Sequence, residues 1–422
     1  MITLEKIKAL LIPWYVLLWV YPKRIFAYRK RIRNIRRRGK VNVVFLACNL
    51  AMWKYQGLYE LLKRDERFNI NIVLAPFFSF SKEQKEKYIQ ELGAFLNERN
   101  IPYTDSRAVK DIGQWMRDEV KPDLIFYPQP YEWLFNNELD WTYFPTCLIA
   151  YIPYGGMILN EPWIYNTRFI YNAWRIYTQS RYNLKQSRRM SYNRGLNVRV
   201  AGYISVDDFA LSTPQDVWKP QAKPKKRIIW APHFSGIRQP NWLNRGAFRW
   251  LWEYMREMAV RYKDTIQIAF KPHPRLLSEL YDSPEWGKEK ADAYYAWWAG
   301  GENTQLETGA FIPLFQTSDA MIHDCNSFIA DYLLTGKPVL FTSNNLEETE
   351  TQLDDFGKAA LYAHYIARDT VEIQSFIDHV VLEGDDPKTA GRQSVYQEYL
   401  LPPNGKTASV CIYEDLVKSL KF

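Results

Sequence analysis

Three polar segments in the second half of the chain each follow directly on an apolar run. They are WAPHFSG (230–236), FKPHPRL (270–276) and HDCNS (323–327), and they hold three of the five histidines, His233, His273 and His323. The apolar runs have the length and composition of buried strands. Because the carboxyl ends of parallel strands meet at one edge of a sheet, we expect these three side chains to converge there.

The residue types around these histidines suit a nucleotide diphosphate. Lys271 and Arg275 flank His273 and supply positive charge, and the prolines between them keep the segment from becoming helix. Further along, NSFIADYLLTG (326–336) predicts a helix with Asn326 or Ser327 as N-cap and Gly336 at its end. Backbone N–H groups at such a helix start bind phosphate, although the same Asn-Ser pair also caps helices that bind nothing. Asp331 lies one turn later and is expected to support the cap.

Metal binding is the competing interpretation of His323-Asp324-Cys325. Adjacent ligands on an extended chain point in different directions, and no second cluster has the spacing of a zinc site. We therefore expect no metal. The chain also lacks a Walker A sequence and a GxGxxG sequence, which disfavours P-loop and dinucleotide-binding enzymes.

The elements that must position these residues alternate between apolar runs and amphipathic helices along most of the chain. This alternation indicates α/β architecture with parallel, doubly wound sheets. A proline-containing connector, STPQDVWKPQAKPKKR (212–227), interrupts it. We predict two Rossmann-like domains facing each other across a cleft: residues 41–211, then the linker 212–227, then residues 228–385. An N-terminal arm (1–40) precedes them and a helical tail (386–422) follows.

The charge of the chain is concentrated in its arm. The net charge of the 422 residues is +8, but residues 1–40 alone hold twelve Lys or Arg against one acidic residue, Glu5, so the remainder is slightly acidic. This balance argues against a nucleic-acid-binding fold. The four cysteines are far apart in the sequence, which is typical of reduced thiols in a cytosolic protein.

The arm joins an apolar run, ALLIPWYVLLWVYP (9–22), to a basic run, KRIFAYRKRIRNIRRRGK (23–40). The apolar run is short for a membrane crossing and lacks the small-residue cleavage site of a signal peptide. We expect residues 9–40 to bind the anionic inner face of the cell membrane, which makes the protein cytoplasmic and peripheral. The alternatives are a helix packed on the protein's own core or on a partner, RNA binding by the basic run, and a single span.

Four segments, in order, resemble the CDP-glycerol glycerophosphotransferase family, the teichoic-acid polymerases and primases with a GT-B fold. They lie within residues 146–345: AGYISVDDF (201–209), IIWAPHFSG (228–236), IAFKPHPRL (268–276) and SDAMIHDCNSFIADYLLTGKPVLF (318–341). The resemblance implies transfer of a polyol phosphate from a CDP-activated donor, such as CDP-glycerol, to a hydroxyl of a lipid-linked or surface glycan, with release of CMP. No further cofactor is implied.

The resemblance also implies roles for individual residues. His273 and Arg275 would hold or polarise the donor diphosphate. Lys271 and His323 are expected to bind it as well, because their strands end at the same edge. Asn326 and Ser327 would bind phosphate at the helix start, supported by Asp331. A base would deprotonate the acceptor hydroxyl as it attacks phosphorus.

One segment departs from the family pattern. The family's first domain carries Trp-His-Gly-Thr, and the corresponding stretch here is YIPYGGMI (151–158), which keeps Gly155 and Gly156 on the acceptor side but has Tyr154 in place of the histidine. Tyrosine is a poor base at neutral pH. His233 is therefore an alternative candidate for the base. The other readings left open are a GT-B glycosyltransferase that uses a nucleotide sugar in capsule or lipopolysaccharide synthesis, and a non-catalytic binding protein.

Overall fold

The computed structural model describes residues 11–78, 80–131, 135, 138–237, 246–309 and 311–421. Within these residues the chain forms two compact units. Unit 1 takes residues 11–157, 161–211 and 399–421, and unit 2 takes residues 158–160 and 212–398.

Unit 1 is built on a seven-stranded parallel sheet of order β3-β2-β1-β4-β5-β6-β7. Its strands are β1 (Val41–Ala47), β2 (Phe68–Leu74), β3 (Thr104–Asp105), β4 (Leu124–Tyr127), β5 (Leu148–Tyr151), β6 (Arg175–Thr178) and β7 (Val198–Val200). Six of the seven residues of β1 and all residues of β4 and β5 are buried. These near-continuous apolar runs are what a parallel sheet covered on both faces requires.

The helices of unit 1 cover both faces of this sheet, since two separate apolar clusters lie against it. They are α1 (Tyr21–Arg38), α2 (Gln56–Lys63), α3 (Lys82–Glu98), α4 (Ile112–Trp115), α5 (Arg168–Asn172), α6 (Arg181–Met190), α7 (Ile204–Leu211) and, from the end of the chain, α17 (Ala408–Leu420). The carboxylate of Asp207 in α7 accepts the N–H groups of Ala408 and Ser409, at 2.9 and 2.6 Å. This carboxylate caps the first turn of α17 and secures the terminal helix to unit 1.

Unit 2 is built on a six-stranded parallel sheet of order β10-β9-β8-β11-β12-β13. Its strands are β8 (Lys226–Ala231), β9 (Ile266–Phe270), β10 (Thr304–Leu306), β11 (Ala320–His323), β12 (Val339–Thr342) and β13 (Tyr365–Ala367). Its helices are α8 (Phe248–Arg261), α9 (Leu276–Tyr281), α10 (Gly287–Gly300), α11 (Ile312–Thr317), α12 (Asn326–Asp331), α13 (Leu346–Gln352), α14 (Asp355–Tyr362), α15 (Thr370–Ser375) and α16 (Thr389–Val395). The alternation predicted from the sequence is therefore present in both units as parallel-sheet α/β structure.

The N-terminal arm is helical and packs on unit 1. Residues 11–15 continue through a π-helical turn, Val16–Val20, into α1. Tyr28 and Ile35 are buried in the core of unit 1, so α1 uses one face for packing on the protein itself. Among the described residues, no helix is long and apolar enough to cross a membrane.

Candidate functional site

Three neighbouring strands of unit 2 end at the same level of the sheet. Trp230 of β8 pairs with Phe270 of β9, and Ala231 pairs with His323 of β11. The segments that follow these strands, 232–236, 271–275 and 324–327, therefore start side by side at one edge. These are the polar segments singled out from the sequence.

Two of the predicted histidines meet at this edge. The rings of His233 and His273 have centroids 4.8 Å apart, and the ring of Phe234 lies 4.3 and 4.6 Å from them. The guanidinium of Arg275 covers Phe234 at 4.2 Å. We call His233, Phe234, His273 and Arg275 the strand-end cluster. It gathers two imidazoles and one permanent positive charge around the ring of Phe234.

Both imidazoles are held in the same tautomer. The Nδ1 of His233 accepts the backbone N–H of Ser235 at 3.1 Å, and the Nδ1 of His273 accepts the backbone N–H of Arg275 at 3.1 Å. A nitrogen that accepts a hydrogen bond carries no proton, so each neutral ring has its proton on Nε2. In this tautomer each Nε2–H is a hydrogen-bond donor, and the role of His233 as the base stays a prediction. Burial, followed by the charge of Arg275, lowers the pKa of His273 to about 4, so this ring is neutral at pH 7.

Asp324 fixes the main chain of the strand-end cluster. Its carboxylate is 2% exposed, and it accepts the N–H of His233 on Oδ1 and the N–H of Ala247 on Oδ2, each at 2.5 Å. Burial raises the pKa of Asp324 to about 7, against the opposing effect of these two hydrogen bonds. The sequence interpretation weighed Asp324 only as part of a metal site. The available signal was an acidic residue directly after a buried strand, where a carboxylate needs hydrogen-bond donors from the chain itself.

The remaining basic residues differ in exposure. Lys271 is 8% exposed, and its Nζ donates to the carbonyl of Gly309 at 2.7 Å. Arg275 is exposed, and it pairs with Glu279 at 2.8 Å. Of Lys271 and Arg275, it is therefore Arg275 whose charge reaches solvent beside the two imidazoles.

The helix start after β11 differs from the predicted one. Helix α12 begins at Asn326 itself, so its N-cap is Cys325, which makes no side-chain cap hydrogen bond. Cys325 is buried, and its thiol donates to the carbonyl of Ala231 at 3.4 Å. The expectation that Asn326 or Ser327 is the cap is corrected, because the strand-to-helix turn is one residue tighter. Asn326 is half-buried, Ser327 is exposed and Asp331 is buried, and their phosphate-binding role stays a prediction.

The ring of His323 contacts core residues instead of the strand-end cluster. It is fully buried, and its ring packs on Phe341 at 5.4 Å and on His364 at 5.3 Å. Its Nδ1 donates to the carbonyl of Cys325 at 3.2 Å, and burial lowers its pKa to about 3. The structure thus brings His233 and His273 together and places His323 in the core, where its predicted contact with a ligand is untested.

The predicted acceptor-side residues lie in unit 1. Tyr154, Gly155 and Gly156 follow β5, and Tyr154 is 36% exposed. Desolvation by the surrounding protein raises the pKa of the Tyr154 phenol, with Tyr131 adding to the effect. The phenol is therefore protonated at neutral pH, which disfavours it further as a base.

Across the described ranges, no group of three or more His, Cys, Asp or Glu side chains is arranged to hold a metal ion.

No protein-family model matches the chain, and no curated protein matches its sequence. Solved structures are similar in fold. A variant of the wall teichoic acid polymerase TagF is 14% identical, with a TM-score of 0.56 over 97% of this chain and 98% of that chain. The S. aureus MnaA–UDP complex is 12% identical, with a TM-score of 0.57 over 90% of this chain and 96% of that one.

A third similar structure is UDP-GlcNAc 2-epimerase from Neisseria meningitidis bound to UDP-GlcNAc. It is 14% identical, with a TM-score of 0.53 over 89% of this chain and all of that one. At these identities the comparisons establish the fold alone. The chain has two parallel-sheet α/β units and matches neighbours of the GT-B type.

Proposed function

We propose that the protein is a transferase that moves a polyol phosphate, such as glycerol phosphate, from a CDP-activated donor to a hydroxyl of a lipid-linked or surface glycan. One observation carries the proposal: two Nε2–H donors and an exposed guanidinium meet at the carboxyl edge of a parallel sheet. Ligands of open α/β sheets bind at this edge. The neighbours of similar fold are structures with UDP, with UDP-GlcNAc and, for TagF, after a soak with CDPG.

In the proposed reaction the strand-end cluster binds the donor diphosphate. His233 and His273 donate from Nε2 to phosphate oxygens, and Arg275 adds a positive charge. The acceptor oxygen forms a bond to the phosphorus of the polyol phosphate, the bond from that phosphorus to the CMP oxygen breaks, and CMP leaves. The donors neutralise the negative charge that builds up on CMP, and no cofactor is needed beyond the activated donor.

The tautomers bear on which residue removes the acceptor proton. A ring that presents Nε2–H cannot accept a proton on that nitrogen, so His233 and His273 act in this proposal as donors. The hydroxyl proton passes to a base outside the strand-end cluster. A loose transition state delays deprotonation, which reduces the demand on that base.

A GT-B glycosyltransferase that uses a nucleotide sugar is the second candidate. The observation that favours it is Tyr154, whose raised pKa removes the base expected on the acceptor side of a polyol-phosphate transferase. In that reaction the cluster would bind the same diphosphate, but the leaving group would be a nucleoside diphosphate in place of CMP.

The decisive experiment measures the released nucleotide. The protein is incubated with CDP-glycerol, CDP-ribitol or UDP-GlcNAc and a lipid-linked acceptor, and the products are separated by chromatography. Release of CMP supports the proposal. Release of UDP alone would instead establish the glycosyltransferase, and no release from any donor would favour a non-catalytic binding protein.

Substitutions test the role of the two histidines. His233→Ala and His273→Ala are expected to weaken CDP binding about tenfold or more, because each removes a donor to charged oxygen. His233→Gln and His273→Gln keep an N–H donor and should retain more affinity and turnover than the alanine variants. If either histidine acted as a base instead, its alanine and glutamine variants would lose turnover equally. His379→Ala, at an exposed histidine of unit 2, is the matched control.

A further inference from the structure

The N-terminal helical segment exposes an unusual amount of apolar surface. Seven large apolar or aromatic side chains within residues 11–26 are at least 39% exposed: Leu11, Ile12, Trp14, Tyr15, Leu18, Trp19 and Phe26. Large exposed patches of this kind mark interaction sites with proteins or membranes.

This surface is held in place by α1. The Tyr28 hydroxyl donates to the carbonyl of Asn172 at 2.5 Å, and Ile35 is fully buried. Arg31 pairs with the buried carboxylate of Asp123 at 3.1 Å. Arg36 donates to the carbonyl of Leu420 at 3.0 Å. Because these contacts occupy one side of α1, the apolar side chains that precede it form a fixed face of unit 1 and not a loose tail.

Positive charge surrounds the apolar face. Outside those packing contacts, the exposed cations of α1 are Lys23, Arg29, Lys30, Arg33 and Arg37. One further cation adjoins the face, because the Arg194 guanidinium lies 5.8 Å from the ring centroid of Trp14. Just before it, α6 exposes Arg181, Lys185, Arg188 and Arg189. Neither 11–40 nor 181–200 contains an acidic residue.

We propose that this face of unit 1, formed by the exposed apolar side chains of residues 11–26, the cations of α1 and Arg194, docks on an anionic phospholipid surface. Trp and Tyr favour the headgroup level, Leu and Phe enter the acyl boundary, and Lys and Arg attract anionic headgroups. RNA would use the cations but leaves the exposed Leu and Ile without a partner. Attachment through a fixed face on unit 1 is independent of the reaction proposed for unit 2.

Vesicle co-sedimentation tests the apolar part. The full chain is mixed with vesicles of phosphatidylcholine alone or with added phosphatidylglycerol, and we expect binding to the second kind. The triple variant Trp14→Glu/Leu18→Glu/Trp19→Glu should partition into these vesicles at least about tenfold less, since each substitution removes a large apolar side chain that would be buried in lipid. The matched control is Phe78→Glu/Val260→Glu/Val371→Glu, at residues of similar exposure elsewhere. Equal binding of the two triple variants would overturn the proposal.

A charge-reversal pair tests the basic part. Arg33→Glu/Arg37→Glu should weaken binding to phosphatidylglycerol vesicles, most strongly at low salt, while the control Lys223→Glu/Lys263→Glu leaves it unchanged. Two results would contradict the proposal. One is tight, arginine-dependent binding to a single-stranded RNA oligomer without vesicle binding. The other is a dimer, seen by analytical ultracentrifugation, that the apolar triple variant dissociates without any change in vesicle binding.

The test of membrane docking can be separated from the test of the proposed transferase reaction. Stabilisation of the apolar triple variant by CDP in a thermal-shift assay should equal that of the wild type, because the substituted residues lie outside unit 2. Loss of vesicle binding with CDP stabilisation kept would support membrane docking whatever reaction the protein performs.

Discussion

The buried carboxylate of Asp324 accepts the backbone N–H of His233 at 2.5 Å, across 91 positions of sequence. Its second oxygen accepts the N–H of Ala247, the residue before α8. One side chain thus ties the start of the segment that carries His233 to the beginning of the next helix. The position of the His233 imidazole depends on a residue that need not touch the ligand.

At pH 8, where the Asp324 carboxylate is ionised, Asp324→Asn should destabilise the protein by about 1–3 kcal/mol. Asparagine offers one oxygen and one NH₂ group, so one of the two backbone N–H groups then faces a donor instead of an acceptor. Urea unfolding measures the change. Asp264→Asn, at an exposed aspartate of unit 2, is expected to change stability very little. Similar losses in the two variants would contradict the role assigned to Asp324.

The same residue predicts a pH dependence of stability. The pKa of Asp324 is raised to about 7 in the folded protein, whereas an unfolded aspartate titrates near 4. Between about pH 4 and pH 7 the folded state binds this proton and the unfolded state does not, so the contribution of Asp324 to stability falls as pH rises. The stability advantage of wild type over Asp324→Asn should therefore shrink across this window and level off above it. Urea unfolding of both proteins from pH 4 to pH 8 tests this, and an advantage that grows with pH would refute it.

The tautomers of the strand-end cluster can be measured directly. We expect ¹⁵N-resolved imidazole spectra at pH 7 to show His233 and His273 as neutral rings protonated on Nε2, because Nδ1 of each accepts a backbone N–H. His273 should remain neutral down to about pH 4. His379 provides the internal control: its pKa is raised by the hydrogen bond to Glu383, so it should titrate above the usual range. Nδ1-protonated rings at positions 233 and 273 would exclude the donor role.

Gly336 ends the helical segment after β11 with a positive φ of 69°, and a Cβ there would meet no atom within 4 Å. Gly336→Ala should therefore destabilise by about 1 kcal/mol through backbone strain alone. Gly391, in the interior of α16, also has open space around it but has no positive φ. Gly391→Ala should stabilise by about 0.5–1 kcal/mol. Thermal unfolding of both variants checks the opposite signs, and two changes of the same sign would count against this account.

Much of the architecture was predictable from sequence because parallel strands buried on both faces must be nearly continuous apolar runs. The runs at 228–231, 266–270 and 320–323 are of this kind, and polar residues follow each of them. The convergence of His233 and His273 follows from that pattern, since parallel strand ends share one edge. The helix start after β11 was missed by one residue, because the choice between Cys325 and Asn326 depends on backbone angles that side-chain type does not specify.

By itself, the sequence determined the two-unit α/β class, the polar strand ends and a basic, apolar arm without acidic residues from 11 to 40. Only the tertiary structure decided which face of that arm packs on unit 1. Burial in lipid and burial in a protein core both require apolar residues at helical spacing, so Tyr28 and Trp14 could not be assigned to different surroundings from sequence. The structure likewise separated His323, which is in the core, from Asp324, which holds the backbone of His233. Successive residues at the end of a strand point to opposite faces, and which face is the core depends on packing between residues distant in the chain.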